Sequence, residues 1–280
     1  MTCVLANSPT CLLAYSAMRH IVYALPLLFL SLALSAQETF QPKQMDGDKG
    51  ILYNQEFALG LRLHTHGFAV GLNLGKLKSY YLTKYVHFEL GELKHPKEYR
   101  QSFDSPSSLN NRVSRAFKYG KQNNLYVLRA AIGGKRYFSE KAKHKGVAVG
   151  IAYEAGASLG LLKPYYLELR PREGSPQPQI TVSTKYSEDS ADRFLDIWSI
   201  HGASGWTKGL TEISLLPGVH GKFAVHFDWG AFDEYVKAIE GGIMVDAFSK
   251  EAPLMVELDN VENKQFFINL FLHLQFGKRW

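Results

Sequence analysis

The chain has 280 residues, a net charge of +6 at pH 7 and 46% hydrophobic residues. This length suits one large domain or two small ones, and the composition excludes a disordered chain. No stretch concentrates Lys and Arg among aromatic residues, which argues against a nucleic-acid partner. Aromatic residues (13%) and 24 glycines favour strands joined by tight turns, so the composition predicts an all-β fold.

The N-terminal region has the layout of an export signal. Arg19 precedes an apolar run over residues 21–34, and the small residues Ser35 and Ala36 follow it. A cleaved secretory signal peptide has this order of parts, while a transmembrane helix needs about 20 apolar residues. A retained N-terminal membrane anchor is the alternative. We predict an upstream extension over residues 1–17, with translation starting at Met18, then a signal peptide over 18–36, a polar lead over 37–50 and one folded domain over 51–280.

Both cysteines, Cys3 and Cys11, precede the predicted cleavage site. The mature chain is therefore expected to have no disulfide and no thiolate metal site. The residues before Cys11 do not resemble a lipoprotein cleavage box, so lipid anchoring is not expected.

Strand-length segments that alternate bulky apolar residues with small or polar ones start near residue 57. The first two segments, 57–64 and 68–75, are joined by a predicted turn at residues 65–67, and a second turn is predicted at residues 75–78. Further segments with the same alternation are 82–93, 125–136 and 147–154, and a basic turn at 141–145 precedes the last of these.

The second half of the chain continues the pattern less regularly. Residues 161–169 form a weaker segment because Pro164 removes a hydrogen-bond donor. The later segments are 194–200, 223–229, 238–248 and 266–280. Together the segments predict about ten strands, with 8–12 possible, and two long polar connections at 95–124 and 170–192. Short turns alternating with long loops are typical of the two rims of a membrane barrel.

The character of the two strand faces favours a membrane barrel over a soluble one. The face opposite the bulky apolar row carries mostly Gly and Ala with an occasional charged residue. Such a face makes a poor water-facing surface but fits a narrow polar lumen. In hydrocarbon every backbone polar group needs a partner, so the sheet must close. We predict a closed antiparallel up-and-down transmembrane β-barrel; an exported soluble lipocalin-like barrel or sandwich is the alternative.

Several segments resemble the small outer-membrane β-barrel proteins of Bacteroidota, including the PorT-like group. They are LSAQ at residues 34–37, FAVGLNLG at 68–75, GVAVGIAYEAG at 146–156, LPGVHGKFAVHFDWG at 216–230 and the terminal FFINLFLHLQFGKRW at 266–280. The resemblance covers most of the mature chain, but its motifs are architectural. It implies an outer-membrane location and insertion by the barrel-assembly machinery, with Lys278 breaking the terminal apolar row.

Two sets of side chains are singled out by the alternation. The predicted lumen-facing polar residues are Arg62, His64, His87, Glu89, Arg129, Glu154, His226, Asp228, Glu240 and His273. We expect them to form charge-paired networks, because a buried charge needs a partner. The predicted aromatic girdle, which sits at the membrane interfaces, is Tyr80, Tyr126, Tyr165, Trp229 and Trp280.

No residue pattern predicts a metal site, a cofactor or a catalytic centre. His64 with His66, and His87 with Glu89, share a strand face, but no third ligand at a recognisable spacing joins either pair. Ser199, His201 and Glu212 could supply the residue types of an acyl hydrolase, and any barrel offers such sets.

The sequence therefore predicts a non-enzymatic structural or partner subunit of envelope or export machinery. The alternatives are a small-solute channel or transporter and an outer-membrane lipid-modifying enzyme. The expected partners are outer-membrane lipids, lipopolysaccharide and an envelope protein. Basic residues in the loop HPKEYR at 95–100, namely Lys97 and Arg100, are candidates for contacting lipopolysaccharide phosphates.

Overall fold

The structure is a computed structural model that describes residues 53–102, 114–138, 146–170, 181–231, 233–258 and 261–280. The predicted extension, signal peptide and polar lead lie outside these residues, as does the predicted basic turn at 141–145. Within the described ranges, no helix has the length and apolar character needed to cross a membrane.

The described residues form thirteen strands and three short helical turns. The strands are β1 (Gln55–His64), β2 (Gly67–Ser79), β3 (Leu82–Leu93), β4 (Arg100–Gln101), β5 (Phe117–Lys118), β6 (Asn123–Tyr137), β7 (Ala148–Pro164), β8 (Tyr166–Leu169), β9 (Val182–Lys185), β10 (Ile200–Ala203), β11 (Ser214–Asp228), β12 (Tyr235–Ala252) and β13 (Lys264–Arg279). The helical turns are Glu188–Ser190, Ala191–Phe194 and Leu210–Glu212.

Eight of these strands close into an antiparallel barrel in the order β1-β13-β12-β11-β7-β6-β3-β2. Each strand pairs with the next barrel strand along the chain, and closure comes from β13 returning to β1, with a register from Glu56 opposite Arg279 to His64 opposite Phe271. The closed sheet leaves no barrel strand with an unpaired edge, as a sheet that crosses hydrocarbon requires. The predicted all-β, closed, up-and-down fold is confirmed.

The barrel has eight strands, and one predicted turn and two predicted strand segments are wrong. Residues 75–78 do not turn but continue β2, paired with β3, and the chain reverses only at Tyr80 and Tyr81. The weak segment at 161–169 is divided: β7 continues to Pro164, and β8 belongs to a separate sheet. Residues 194–200 contain the end of a helical turn and the first residue of β10 instead of a strand.

Pro164 is where the chain leaves the barrel. It is the last β7 residue paired with β6, opposite Asn123, and the next amide, that of Tyr165, donates to the carbonyl of Gln122. Pro164 has no N–H to continue a ladder, which suits the end of a strand. The strands that follow, β8, β9 and β10, form a three-stranded sheet in the order β10-β8-β9.

The two ends of the barrel differ. At one end, here called the terminal rim, lie the first residue of β1, the last residue of β13 and the connections β2–β3, β6–β7 and β11–β12. At the other end, the cap rim, the long connections β3–β6, β7–β11 and β12–β13 contain all the strands and helical turns outside the barrel. The described residues of these three connections are called the cap.

Two apolar clusters connect the cap to the barrel mouth. The first joins barrel residues at the cap rim to Leu254 and Met255 of the β12–β13 connection; its barrel members are Leu93, Leu125, Val127, Leu162, Leu216, Phe248, Ala252 and Phe267. The second lies within the cap and consists of Phe117, Leu167, Leu169, Phe194, Ile200 and Val256. Because Met255 and Val256 are adjacent, the two clusters follow one another outward from the lumen. Burial of these side chains stabilises the cap against the mouth.

Candidate functional site

The outer surface of the barrel is apolar and its interior is charged. Outward side chains such as Ile132, Ile268 and Phe223 are 71%, 66% and 58% exposed, while the inward Arg62 and Glu240 are both 0% exposed. This is the reverse of a soluble barrel, whose apolar residues point inward. A closed sheet with this polarity satisfies its backbone internally and presents hydrocarbon to hydrocarbon. The protein is an outer-membrane β-barrel.

The centre of the lumen is filled by ion pairs between distant strands. Arg62 from β1 lies 3.1 Å from Glu89 and 3.2 Å from Glu154, which comes from β7 across the barrel. Arg129 donates to both carboxylate oxygens of Asp246 at 2.8 Å and also to Glu89. This fork geometry makes the Arg129 pair the strongest kind of charged hydrogen bond.

The network continues toward the terminal rim through Lys222, whose Nζ lies 2.9 Å from carboxylate oxygens of both Glu154 and Glu240. His226 Nδ1 lies 3.0 Å from Glu240 and its Nε2 lies 3.2 Å from the hydroxyl of Tyr137. All eight barrel strands contribute side chains to this network, with β2 adding Asn73 through a 2.6 Å contact to His87.

A second group of charges closes the lumen at the terminal rim. Glu56 accepts from Lys135 at 2.9 Å and from Arg279 at 2.8 Å, and Arg279 also donates to Asp228 at 2.8 Å. Tyr137 donates to the same Asp228 oxygen at 2.9 Å. Arg279 further donates to the carbonyl of Gly230 in the β11–β12 turn. The last residue of β13 therefore ties the first strand to the turn that covers this end.

The described lumen carries nearly balanced formal charge. Its buried carboxylates are Glu56, Glu89, Glu154, Asp228, Glu240 and Asp246, and its buried Lys and Arg residues are Arg62, Arg129, Lys135, Lys222 and Arg279. Six carboxylates against five cations leave one negative charge if every histidine is neutral. His220 lies 2.9 Å from Asp246 and 3.3 Å from Glu154, so a proton on its ring would neutralise the excess.

The ten predicted lumen-facing residues all point into the barrel. Nine of them are buried and share hydrogen bonds or ion pairs with the network. His64 differs, since it is only partly buried and neither of its ring nitrogens has a hydrogen-bond partner. His273 donates or accepts through Nδ1 only, and its Nε2 has no partner.

Neither candidate pair, His64 with His66 or His87 with Glu89, forms a metal or catalytic site with other described residues. His66 turns toward Thr65 and Asn269 instead of joining His64, and His87 bridges Asn73, Arg62 and Glu89. Among the described residues, no group of three His, Cys, Asp or Glu side chains could hold a metal ion.

Ser199, His201 and Glu212 lie in the cap with separate partners. The Ser199 hydroxyl donates to Asp196 at 2.6 Å, and Glu212 accepts from Lys185 and Tyr166. The carbonyl of His201 accepts from Ser114. No hydrogen bond among the described side chains links the three into a nucleophile, a base and an acid.

The predicted girdle residues occupy both rims, with one exception. Trp229 and Trp280 are half exposed at the terminal rim, and Tyr80 lies in the β2–β3 turn beside Tyr81. Tyr126 lies at the cap rim, where its hydroxyl accepts from Trp206 Nε1 at 3.1 Å. Tyr165 instead packs against the cap cluster, and its hydroxyl accepts from the Lys118 amide, because the chain has left the barrel at Pro164.

The cap contains one buried cluster of charges beside Tyr165. Lys121 is 1% exposed and donates to Glu98 at 2.7 Å, and Lys118 donates to the same oxygen. Burial lowers the pKa of Lys121 to about 8, against the opposing effect of the Glu98 carboxylate. Burial alone would raise the pKa of Glu98, but the two ammonium groups hold it below its ordinary value of 4.5.

Comparison with known proteins found low sequence identity and low structural similarity. The sequence matches no protein-family model, and no curated protein matches it. Among solved structures, Neisserial surface protein A (NspA) is 7% identical, with 81% of this chain and 97% of NspA covered and a TM-score of 0.35. The attachment invasion locus protein Ail of Yersinia pestis is 8% identical, with 81% and 95% covered and a TM-score of 0.31. Neither supports the finer resemblance to the PorT-like group.

Several lumen residues that complete the network were not among the predicted candidates. They are Glu56, Tyr85, Lys135, Tyr137, His220, Lys222, Asn269, Gln275 and Arg279. The same alternation places each of them on the inward face. Lys135 lies within the predicted segment 125–136. Extending the segments by one or two pairs of residues would have found Tyr137 and His220, since β6 and β11 are longer than a tilted crossing of about nine to eleven residues requires.

Proposed function

We propose that the protein is a non-enzymatic, non-conducting outer-membrane barrel that serves as a structural or partner subunit and presents its cap outside the membrane. The observation that carries this proposal is the filled lumen. Charged side chains from seven of the eight strands and Asn73 from β2 meet across it, and their fractional exposures are 5% or less. An eight-stranded barrel is only wide enough for its interior to be filled by side chains.

Both mouths add to the closure. At the cap rim the apolar layer containing Leu254 and Met255 lies over the barrel ends. At the terminal rim Arg279 joins Glu56, Asp228 and the carbonyl of Gly230. An ion on this path would have to leave water, displace an apolar layer and break paired charges, each of which is costly. This arrangement favours a subunit over the channel alternative.

Features of the cap support a role in binding a partner. It has its own sheet and apolar cluster, and it exposes large aromatic side chains: Trp198 is 77% exposed and Tyr99 is 71% exposed. Exposed Trp and Tyr are enriched where proteins bind partners. In outer-membrane barrels the long loops face outward and the short turns face the periplasm, which would place the cap at the cell surface.

Conductance across planar bilayers tests the proposal. The purified barrel, shown to be folded by its shifted mobility on unheated gels, should give no discrete current steps at 100 mV in 1 M KCl. An open porin inserted under the same conditions is the positive control. Reproducible single-channel steps from the folded protein would refute the closed-lumen proposal and favour the channel.

A further inference from the structure

A basic cleft opens at the cap rim between the ends of β6 and β7 and the cap. Its volume is about 560 Å³, and its charged lining consists of Arg100, Arg115, Lys118, Lys163, Lys208 and a single carboxylate, Glu92. Lys118 is paired with Glu98, and Glu92 is paired with Lys94. In the described part of the chain, Arg100, Arg115 and Lys208 form no ion pair. The cleft therefore has a positive charge that no carboxylate among the described residues neutralises.

Aromatic side chains line the same cleft. They are Tyr126, Tyr165, Tyr166 and Trp206. The Trp206 ring lies under the Lys163 ammonium, with 4.3 Å between Nζ and the ring centroid, and it remains 65% exposed. Trp and Tyr concentrate at the boundary between water and hydrocarbon, where one end of the ring system is apolar and the other is wet. An aromatic lining of this kind is typical of the level of lipid headgroups.

A separate apolar groove lies beside the cleft and is lined by residues of β2, β3, β6, β7 and β11. It has a volume of about 690 Å³ and lies on the outer face, where its lining includes Phe88, Leu128, Leu159 and Pro217. The floor of the groove includes Ala130 and Ala157, which are paired with each other across β6 and β7. The small side chains of these two residues leave the groove open. Tyr126 of the cleft and Leu128 of the groove are successive outward residues, about 7 Å apart along β6.

We propose that the cleft and the groove together bind an anionic lipid, with a phosphate-bearing headgroup in the cleft and an acyl chain in the groove. Arg and Lys side chains bind phosphate by charge-assisted hydrogen bonds. The groove is open to the hydrocarbon layer, so we expect its ligand to be a membrane lipid and not a soluble anion. The site lies wholly outside the lumen, and it is independent of whether the barrel conducts.

Binding of diphosphorylated lipid A to the detergent-purified protein, followed by native mass spectrometry and by Trp fluorescence, tests the headgroup part. The variant Arg100→Gln/Arg115→Gln/Lys208→Gln should bind lipid A at least about tenfold more weakly, because three charge-assisted contacts are removed. The control Lys237→Gln/Lys250→Gln/Lys264→Gln removes the same charge from exposed positions outside the cleft and should bind like the wild type. Equal binding by both triple variants and the wild type would overturn the proposal.

Filling the groove tests the acyl-chain part. Ala130→Leu/Ala157→Leu should weaken lipid A binding about tenfold, because the added side chains occupy space of the acyl chain and about two of its CH₂ groups lose their apolar contacts. Ala247→Leu, on the outer face of β12, should leave binding unchanged. Inorganic phosphate at millimolar concentration should displace little lipid. If phosphate alone displaced lipid A fully, or if filling the groove left binding unchanged, the cleft would be a site for soluble anions and the lipid proposal would be wrong. Zwitterionic phosphatidylcholine binding as tightly as lipid A would overturn it as well.

Discussion

Replacing Arg129 by Met provides the most direct test of the lumen network. Arg129 donates to both oxygens of Asp246 at 2.8 Å and to Glu89, and both partners are buried. Removing one member of a buried ion pair costs about 3–5 kcal/mol, because the remaining charge is left without its partner. Glu89 keeps Arg62 and Asp246 keeps His220, so we expect the lower end of this range, about 3 kcal/mol.

The pairing partner supplies the second half of the test. In Arg129→Met/Asp246→Leu no unpaired carboxylate remains at this position, and apolar replacements of a buried pair are often neutral or stabilising. The double variant should therefore be more stable than the sum of the two single variants predicts, with a coupling free energy of at least about 1 kcal/mol. Leu128→Met, one residue away on the lipid-facing side, is the matched control and should change stability by less than about 1.5 kcal/mol.

Urea-induced unfolding in phospholipid vesicles, followed by Trp fluorescence where unfolding and refolding curves coincide, measures these free energies. If Arg129→Met lost less than about 1 kcal/mol, or if the single-variant effects were additive, Asp246 would be solvated by water. The lumen would then be wet, and the argument for a sealed barrel would fail with it.

Two further predictions concern strand packing and the cap. Gly242→Ala should destabilise the barrel by about 1–3 kcal/mol, because the added Cβ would lie 2.1 Å from the Phe223 carbonyl oxygen. In the control Gly241→Ala the nearest atom to the added Cβ is 4.0 Å away, so this variant should be as stable as the wild type in the same unfolding assay. Equal effects of the two variants would contradict this packing. In the cap, Lys121 in the folded protein releases its proton near pH 8 instead of 10.5, so its contribution makes the free energy of unfolding rise between those pH values and leaves it unchanged above them. Glu98→Gln should move the Lys121 midpoint, read by NMR, below pH 8, and a midpoint that stayed the same or rose would refute the assignment.

The sequence by itself determined which way each side chain faces. The period of two is a local property of a strand, and it placed Arg62, Glu89, Arg129 and Glu240 inside and the Leu and Phe rows outside before any pairing was known. The same faces required closure, because an open sheet with an apolar outside and unpaired edges cannot cross hydrocarbon. Fold class and membrane location follow from these two facts.

The tertiary structure decided the strand count and the partners of each charge. Residues 75–78 contain a glycine and two lysines that suggest a turn, yet pairing with β3 holds them in β2. Residues 166–169 alternate like a barrel strand but pair with β9 and β10 outside it. Propensity is local, whereas the choice of a strand's neighbour depends on where the chain enters and leaves the cylinder.

Contacts across the lumen depend on closure even more strongly. Arg62 meets Glu154, which lies 92 residues further along the chain, because β1 and β7 face each other across a narrow eight-stranded barrel. No spacing in the sequence encodes this distance, since it depends on the number of strands and their stagger. The cleft of Arg100, Arg115 and Lys208 likewise exists only because three separate segments of the chain converge at the cap rim.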